Sequence, residues 1–537
     1  MTKTKPPWTK HGGPSGPFDA IVIGSGMGGM TAAAMLAEVG QRVLVLEQHY
    51  VPGGFTHAFK RGPYEWDVGV HAIGEVGPES MLGRLLSVLT DHKLEWASLG
   101  GVYDEFYYPD MRIDFPDNAA DFRANLVAAF PDEAEAIDAY LEQVRLVGRG
   151  MKGFLKSRAI PPNWLGKAVG KRMSRGVQDG FSKTAKEVLD EITDNTKLQK
   201  VLTGQWGYHG SPPSRAAFAV QALVSRHFMH GAFYPVGGAK QIAIHLLGKV
   251  AKAGGWTRVR ADVEEILIEK GRAVGVRLKG GEELRAPKVV SAVGVMSTAM
   301  RLLPESARGP WVEEVQALVP APAHVCLYLG FKGDIRKAGA GPANKWFYDV
   351  WDSEAGLWDI PVSGELPRCP VLYTSFPSLK DPTHDPGDGE HHTGEVVTFV
   401  PYEMFEAWRK QPWRNRDEAY QELKQRITDQ LLSQLFEHLP ELEPMLDFVE
   451  LGTPITTEHF CRPMKGSIYG IEPTVERYRC DHLRAHSPIK NLFFAGCEVG
   501  AVGVMGAMAG GMLAALAMEP RKAGALVVAA GKRPTGE

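Results

Sequence analysis

Gly24, Gly26 and Gly29 are spaced as Gly-x-Gly-x-x-Gly, and Glu47 follows about twenty residues after the first of them. Glycines so placed bring backbone N–H groups against an anionic diphosphate. Gly24 allows a sharp turn, Gly26 lets the chain approach a pyrophosphate, and Gly29 lets a helix pack closely on a strand. Glu47 adds a carboxylate that can accept both hydroxyls of an adenosine ribose, and its charge opposes the extra phosphate of NADP, which leaves NAD or FAD. A glycine cluster alone also marks ordinary turns, so its surroundings decide. The apolar run 19–23 reads as a buried parallel strand, 27–39 as an alanine-rich helix and 42–46 as a second strand, which puts the phosphates at the positive end of the helix.

The 537 residues suffice for two or more domains around a large core. Sixty Lys and Arg against 63 Asp and Glu leave a net charge of -3, so no global field points to nucleic acid. The five cysteines (326, 369, 461, 480 and 497) are scattered and lack CxxC spacing, which suits a reducing compartment and argues against zinc or a disulfide framework. Residues 1–17 are polar, rich in Pro and Gly, without the apolar centre of a signal peptide, and read as a flexible arm. Residues 501–518 carry no charge, yet their Ala, Gly and Met composition just after a strand reads as a helix buried in a soluble domain rather than a membrane span.

Past Glu47 come Gly53 and Gly54, then Trp66, Val68 and Val70 alternating through the spacing Asp67-x-Gly69-x-His71. Residues 234–293 return to a glycine turn at Gly237 and Gly238, an amphipathic helix, and strands near Arg258 and over 263–268, 273–278 and 289–292. Residues 302–481 carry strand patterns over 324–331 and 396–400, a helical pattern over 416–439, and the sets Lys380, Asp381, Pro382 and Tyr402, Phe405, Trp408. Glycine-rich segments at 453–470 and 491–511 follow. On these residues the chain resembles the flavoprotein family of phytoene desaturases, carotenoid isomerases and retinol saturases, over essentially everything after Pro17.

The resemblance implies an α/β protein: a Rossmann-like, amine-oxidase-like FAD-binding domain with an inserted α+β substrate-binding domain. Its implied segments are FAD-binding parts at 18–100, 225–300 and 482–520, a helical substrate- and membrane-facing region at 101–224, a substrate domain at 301–481 and a C-terminal tail at 521–537. It places Gly53 and Gly54 over the flavin, the Val263 backbone beside the adenine, and Gly496 with Glu498 at the cofactor. The N-terminus of the helix carrying Gly506 then points at the ring, where it favours negative charge. Relatives commonly show Gln-Asp where this chain has Cys497 and Glu498; the resemblance implies that the longer acid still reaches the ribityl or phosphate region, while Cys497 departs from the pattern at the position where a glutamine would make its contact. Cys497 has no base placed near it by the sequence to make it a nucleophile. Gly237 and Gly238 read either as a cofactor contact or as a plain loop before a helix.

Residues 145–186 hold eleven Lys and Arg against the single acid Asp179, interleaved with Phe154, Leu155, Trp164 and Leu165. Such a stretch can lie on an anionic membrane surface, or be a solvated helical face balanced by acids elsewhere. His384, His391 and His392 sit in a segment rich in Asp, Pro and Gly that reads as a surface loop, and no metal is assigned to them.

The function implied by the resemblance is FAD-dependent oxidoreduction of carbon-carbon double bonds in a long apolar isoprenoid or polyene, in a cytoplasmic protein touching membrane lipid at its surface. Such chemistry needs a two-electron carrier that no side chain supplies, which agrees with the lack of a triad or paired-carboxylate motif. Tyr469 and His71 are the candidates for moving the accompanying proton, and each has a purely structural alternative. Saturation, desaturation and redox-neutral isomerisation share these motifs, and the electron donor or acceptor is not written in them. A lipid carrier on the same scaffold, as in the GDP dissociation inhibitors, and amine oxidation are the other readings.

Overall fold

The computed structural model describes residues 6–13, 16–161, 164–351, 357–361 and 364–532. The strand Ala20–Ile23 is the middle of a five-stranded parallel sheet in the order Leu492–Phe494, Val289–Ser291, Ala20–Ile23, Val43–Leu46, Trp256–Arg258. Ile21 lies opposite Val289 on one side and Leu44 on the other. Every residue of the two N-terminal strands is buried, which is why they read as unbroken apolar runs rather than as alternations. An antiparallel meander, Val263–Glu269, Arg272–Leu278 and Glu283–Arg285, follows the edge strand.

The helix Met27–Glu38 packs against the helix Gly503–Met518 through glycines: a Cβ added to Gly511 would fall 2.3 Å from the Gly28 carbonyl oxygen. Apolar on all sides, Gly503–Met518 is sequestered in this domain. No helix among the described residues is long and apolar enough to cross a membrane.

Part of the expected N-terminal arm is tied down. The Thr9 N–H donates to the Thr257 carbonyl (3.2 Å) and its own carbonyl accepts from the Val259 N–H (3.0 Å), extending the parallel sheet at its edge. Residues 1–5 and 14–15 of that arm, and 533–537 of the expected tail, lie outside the described residues, while the tail begins with the helix Pro520–Gly531.

A second, seven-stranded sheet runs Leu446–Gly452, Ala323–Lys332, His391–Val400, Leu372–Ser375, Asn344–Phe347, Val102–Tyr108, Met111–Pro116. All its pairs are antiparallel except Asn344–Phe347 with Val102–Tyr108. Its side chains sort by parity. Val325, Leu327, Leu329, Val396 and Val400 pack with Ile427, Leu431 and Leu435 of the helix Glu418–His438, whereas Tyr328, Trp346, Tyr373, Val397 and Phe399 join the core shared with the parallel sheet.

The strands Val102–Tyr108 and Met111–Pro116 stand in a region read from the sequence as helical. Their alternation is broken by Asp104, an acid that is fully buried and holds Asn344, Gln205 and Tyr208 by hydrogen bonds of 2.7 to 2.9 Å. The basic stretch forms the end of the helix Ala134–Arg158 and the helices Trp164–Ser174 and Gln178–Ser182; the side chains of Trp164, Leu165 and Lys167 lie outside the described residues.

Candidate active site

The strand Ala20–Ile23 ends at Gly24, whose φ of +90° turns the chain as only glycine does without strain. Gly26 caps the following helix, and a Cβ on it would meet no protein atom within 4 Å, because it would project into open cavity. A Cβ on Gly29 would lie 2.1 Å from the Gly24 carbonyl oxygen, so its glycine serves packing. Gly53 bridges to Gly26 and has a φ of +127°, and a Cβ on Gly54 would fall 3.0 Å from the Gly26 Cα.

Glu47, at the end of the second strand, is buried. Its Oε2 accepts from the Ser25 N–H (3.0 Å) and hydroxyl (2.6 Å), and its Oε1 from the His49 N–H (2.7 Å). These donors fix the carboxylate beside the phosphate turn. Open space over Gly26, a helix N-terminus behind it and a carboxylate one strand away together fit the diphosphate and ribose of FAD. Gly24, Gly26, Glu47, Gly53, Gly54, Val263, Gly496, Glu498 and Gly506 all line one cavity of ≈ 1440 Å³; Gly29 stands behind it. That volume exceeds the usual range of about 300–1,000 Å³ for a single small-molecule site, so it has room for a dinucleotide and a second, long ligand.

On the far wall, Gly496 turns with a φ of +104° and delivers Cys497 and Glu498. Glu498 is spent on structure: its Oε2 accepts from the N–H groups of Val295 (2.6 Å) and Met296 (3.3 Å), capping a short helical turn, and burial raises its pKa. Cys497 donates its thiol to the Tyr469 carbonyl, and burial pushes it up to about 11, so it is a neutral thiol. Gly237 and Gly238 do not line the cavity; the Gly237 N–H donates to Asp381 (3.1 Å) and so ties the loop to the second sheet.

Tyr469 and His71 both face the cavity. The Tyr469 hydroxyl donates to the Gly207 carbonyl (3.3 Å), and burial raises its pKa above the usual phenol range. The His71 Nδ1 lies 3.1 Å from Glu395 Oε2, and burial, reinforced by the charge of Lys380, lowers its pKa to about 3. Lys380 is itself buried and donates to the His71 carbonyl (2.7 Å), the Ser375 hydroxyl (2.7 Å) and Asn344 Oδ1; burial lowers it to about 7. Asp67 accepts from the Tyr234 hydroxyl and the Ala239 N–H (3.0 Å), and burial lifts it to about 7. Glu395 and Lys380 were given no role on sequence grounds. The available signal was parity: residue 395 falls on the same inward stripe as Val397 and Phe399, a position where an acid needs a reason. Of the three histidines expected in a surface loop, His391 and His392 instead open the strand His391–Val400, and His392 is buried; His384 bonds the His391 carbonyl (2.9 Å) and His392 the Ser378 hydroxyl (3.2 Å).

The cavity leaves the cofactor end between three helices. Met81 comes from Met81–Leu89, Leu155 and Lys156 from Ala134–Arg158, and Val527 and Val528 from Pro520–Gly531. Val528, 63% exposed, and the exposed Lys152 and Lys156 also line the cavity.

A parallel sheet with a glycine phosphate turn, a ribose carboxylate and a long apolar annex defines a dinucleotide-dependent oxidoreductase. The chain belongs to the family described as flavin containing amine oxidoreductase, whose model matches residues 27–518, and its cofactor is FAD. It is 33% identical over 525 residues to all-trans-retinol 13,14-reductase of Rattus norvegicus, covering 94% of this chain and 86% of that one. Prolycopene isomerase of Daucus carota is 26% identical, over 86% of this chain and 73% of the other. The crystal structure of cyclohexylamine oxidase from Brevibacterium oxydans superposes with a TM-score of 0.58 at 18% identity, over 96% of this chain and all (100%) of that one, which shows the shared fold. As an FAD-dependent oxidoreductase, the protein is not the lipid carrier that the scaffold also allows.

Proposed function

We propose that the protein adds or removes hydrogen across a carbon-carbon double bond of a long apolar isoprenoid or polyene, with reduction as its forward direction. The observation that carries this reading is the single cavity running from the phosphate turn at Gly26 to an apolar mouth at Leu155, Val527 and Val528. A short polar amine needs no such annex; a polyene does. The retinol reductase relatives support the reductive direction.

FAD, when bound, supplies the hydride chemistry that side chains lack. The protein's own part is to hold it and to order the substrate. Gly26 and the N–H groups of the first helix receive the diphosphate, Glu47 receives the ribose, and the apolar walls exclude water from the reacting carbons. His71 or Tyr469 holds the proton at the cavity wall, and the structure favours His71, because the phenol of Tyr469 is engaged with Gly207. The mouth, with its exposed valine and lysines, draws substrate from lipid, each base contributing about 1 kcal/mol of attraction to an anionic surface.

The test is anaerobic incubation of the reduced and the oxidised holoprotein with retinol, phytoene and lycopene, followed by product analysis. Reduced protein should yield a product gaining two hydrogens and lose its reduced-flavin spectrum. Turnover of amines with no change in any polyene would overturn the reading, and a geometric isomer without net flavin oxidation would redirect it to isomerisation.

A further inference from the structure

Glu395 is the least explained side chain of the buried wall. It has no exposed surface, it stands on the inward stripe of His391–Val400 with Val397 and Phe399, and neither carboxyl oxygen has a hydrogen-bond partner among the described residues. Its one polar approach is to His71, whose Nδ1 is 3.1 Å from Oε2 and likewise has no other partner. An acid left in this state costs several kcal/mol if ionised, unless it is paired or carries a proton.

Glu395 does not line the cavity, whereas His71, 15% of whose side chain is exposed, does. The other groups facing the pair are Asp67, Lys380, His324, Cys326, Tyr373, Tyr234 and Tyr328. Of these, Lys380 is the cation, spread over three neutral acceptors instead of a carboxylate. Asp67 has two donors to share its charge and Glu395 has none, so of the two acids Glu395 is the one that holds a proton more readily.

We propose that His71 and Glu395 form a proton-relay pair, in which Glu395 stores the proton behind the wall and the His71 ring passes it to the substrate. This rests on the double-bond reading above. Glu395 O–H donates to Nδ1 of a neutral His71 that carries its own proton on Nε2, the opposite edge of the ring. In the reductive direction the substrate π bond breaks. One carbon has gained the hydride, taken from reduced flavin, and its neighbour takes the Nε2 proton. Nδ1 takes the Glu395 proton in the same movement, so the histidine ends neutral and the carboxylate ends anionic beside Lys380. Desaturation is the reverse, with Glu395 receiving the proton. His71 is then the catalytic residue, and Glu395 a positioning residue that acts through it.

The experiment is infrared spectroscopy of the holoenzyme, parent against Glu395→Gln, with flavin content and melting temperature taken on the same samples. Gln keeps a donor for Nδ1 but has no proton to give. The parent should show a protonated-carboxyl C=O band near neutral pH that is missing in Glu395→Gln, while flavin content is retained and single-turnover oxidation of reduced flavin by a converted polyene slows about 10²–10⁴-fold. If Glu395→Gln folds poorly, Glu395→Asp with the parent serves, since it must shift the same band. Absence of any such band in the parent, or a Glu395→Gln rate within threefold of it, overturns the relay. The infrared arm needs no substrate, so a protein that converts no polyene yet shows the band refutes the function proposed above and leaves the stored proton standing.

Discussion

Gly28 and Gly496 meet backbone to backbone: a Cβ on Gly28 would fall 2.5 Å from the Gly496 Cα, where the helix Met27–Glu38 crosses the turn that leads into Cys497 and Glu498. The two ends of the cofactor site, 468 positions apart in the chain (496 less 28), are thus set by a contact that tolerates no side chain. Gly28→Ala must push the turn away. It should lower stability by roughly 1–3 kcal/mol and reduce flavin content together, as read by urea unfolding and the flavin-to-protein absorbance ratio.

Glu47→Ala removes three hydrogen bonds that fix the ribose carboxylate, each of the charged kind worth roughly 1.5–3 kcal/mol. The protein should purify with little flavin, and Glu47→Gln should lie between. Full yellow colour and an unchanged flavin Kd in the alanine variant would show that the carboxylate does not hold the cofactor.

Much of this was legible in advance. Strand, glycine turn and helix follow one another at 20–38 because each has its own local signal, period and composition, and the run of Glu47, Gly53 and Gly54 stays close in sequence. The second sheet was legible only in part. Residues 102–116 read as part of a helical region, because the partners that satisfy Asp104 within the strand, Gln205, Tyr208 and Asn344, lie 101, 104 and 240 residues away. His71 could be named from its motif; Glu395 could not, because its role exists only through the fold that brings it to 3.1 Å.

Tyr469→Phe loses one hydrogen bond to the Gly207 carbonyl and leaves the proton source intact. Single-turnover flavin oxidation with a converted polyene should stay within about threefold of the parent, whereas His71→Asn should slow it about 10²–10⁴-fold with flavin still bound. The opposite ranking would return the proton to Tyr469.

The stability contributed by the buried histidines should fall as pH drops below neutrality. Burial lowers His209 and His324 to about 4, and His49 and His71 to about 3. With folded pKa values below the unfolded value of about 6.5, these groups favour the folded state fully above that pH and lose this contribution as pH falls toward their folded values. His209 is fully buried, bonds Gln221 (3.0 Å) and stands outside the cavity. His209→Gln should therefore reduce the pH slope of unfolding free energy between pH 6 and pH 4.5 by up to about 1.4 kcal/mol per pH unit, measured by urea titration. An unchanged slope would mean that His209 already titrates in the folded state.

Not all of the basic stretch is available to a membrane. Arg145 pairs with Glu142, Lys183 with Glu191 and Lys186 with Asp190, and Arg158 is buried, donating to the carbonyls of Tyr478, Cys480 and Leu483. Lys152, Lys156, Lys171, Arg172 and Arg175 are exposed. Changing these five to Gln should weaken sedimentation with anionic liposomes, and salt should do the same to the parent. Equal binding of both proteins to neutral and anionic vesicles would leave the solvated-face reading.

The parity of the strand His391–Val400 separates two kinds of inheritance. Val396 and Val400 answer to the helix behind the sheet, Val397 to the chamber in front of it, and Glu395 to the His71 ring that lines that chamber. A lineage can therefore alter the chamber wall at Val397 while leaving in place the residues of the same strand that pack on the helix Glu418–His438. The lining of the chamber and the packing behind it thus fall to neighbouring residues of one strand.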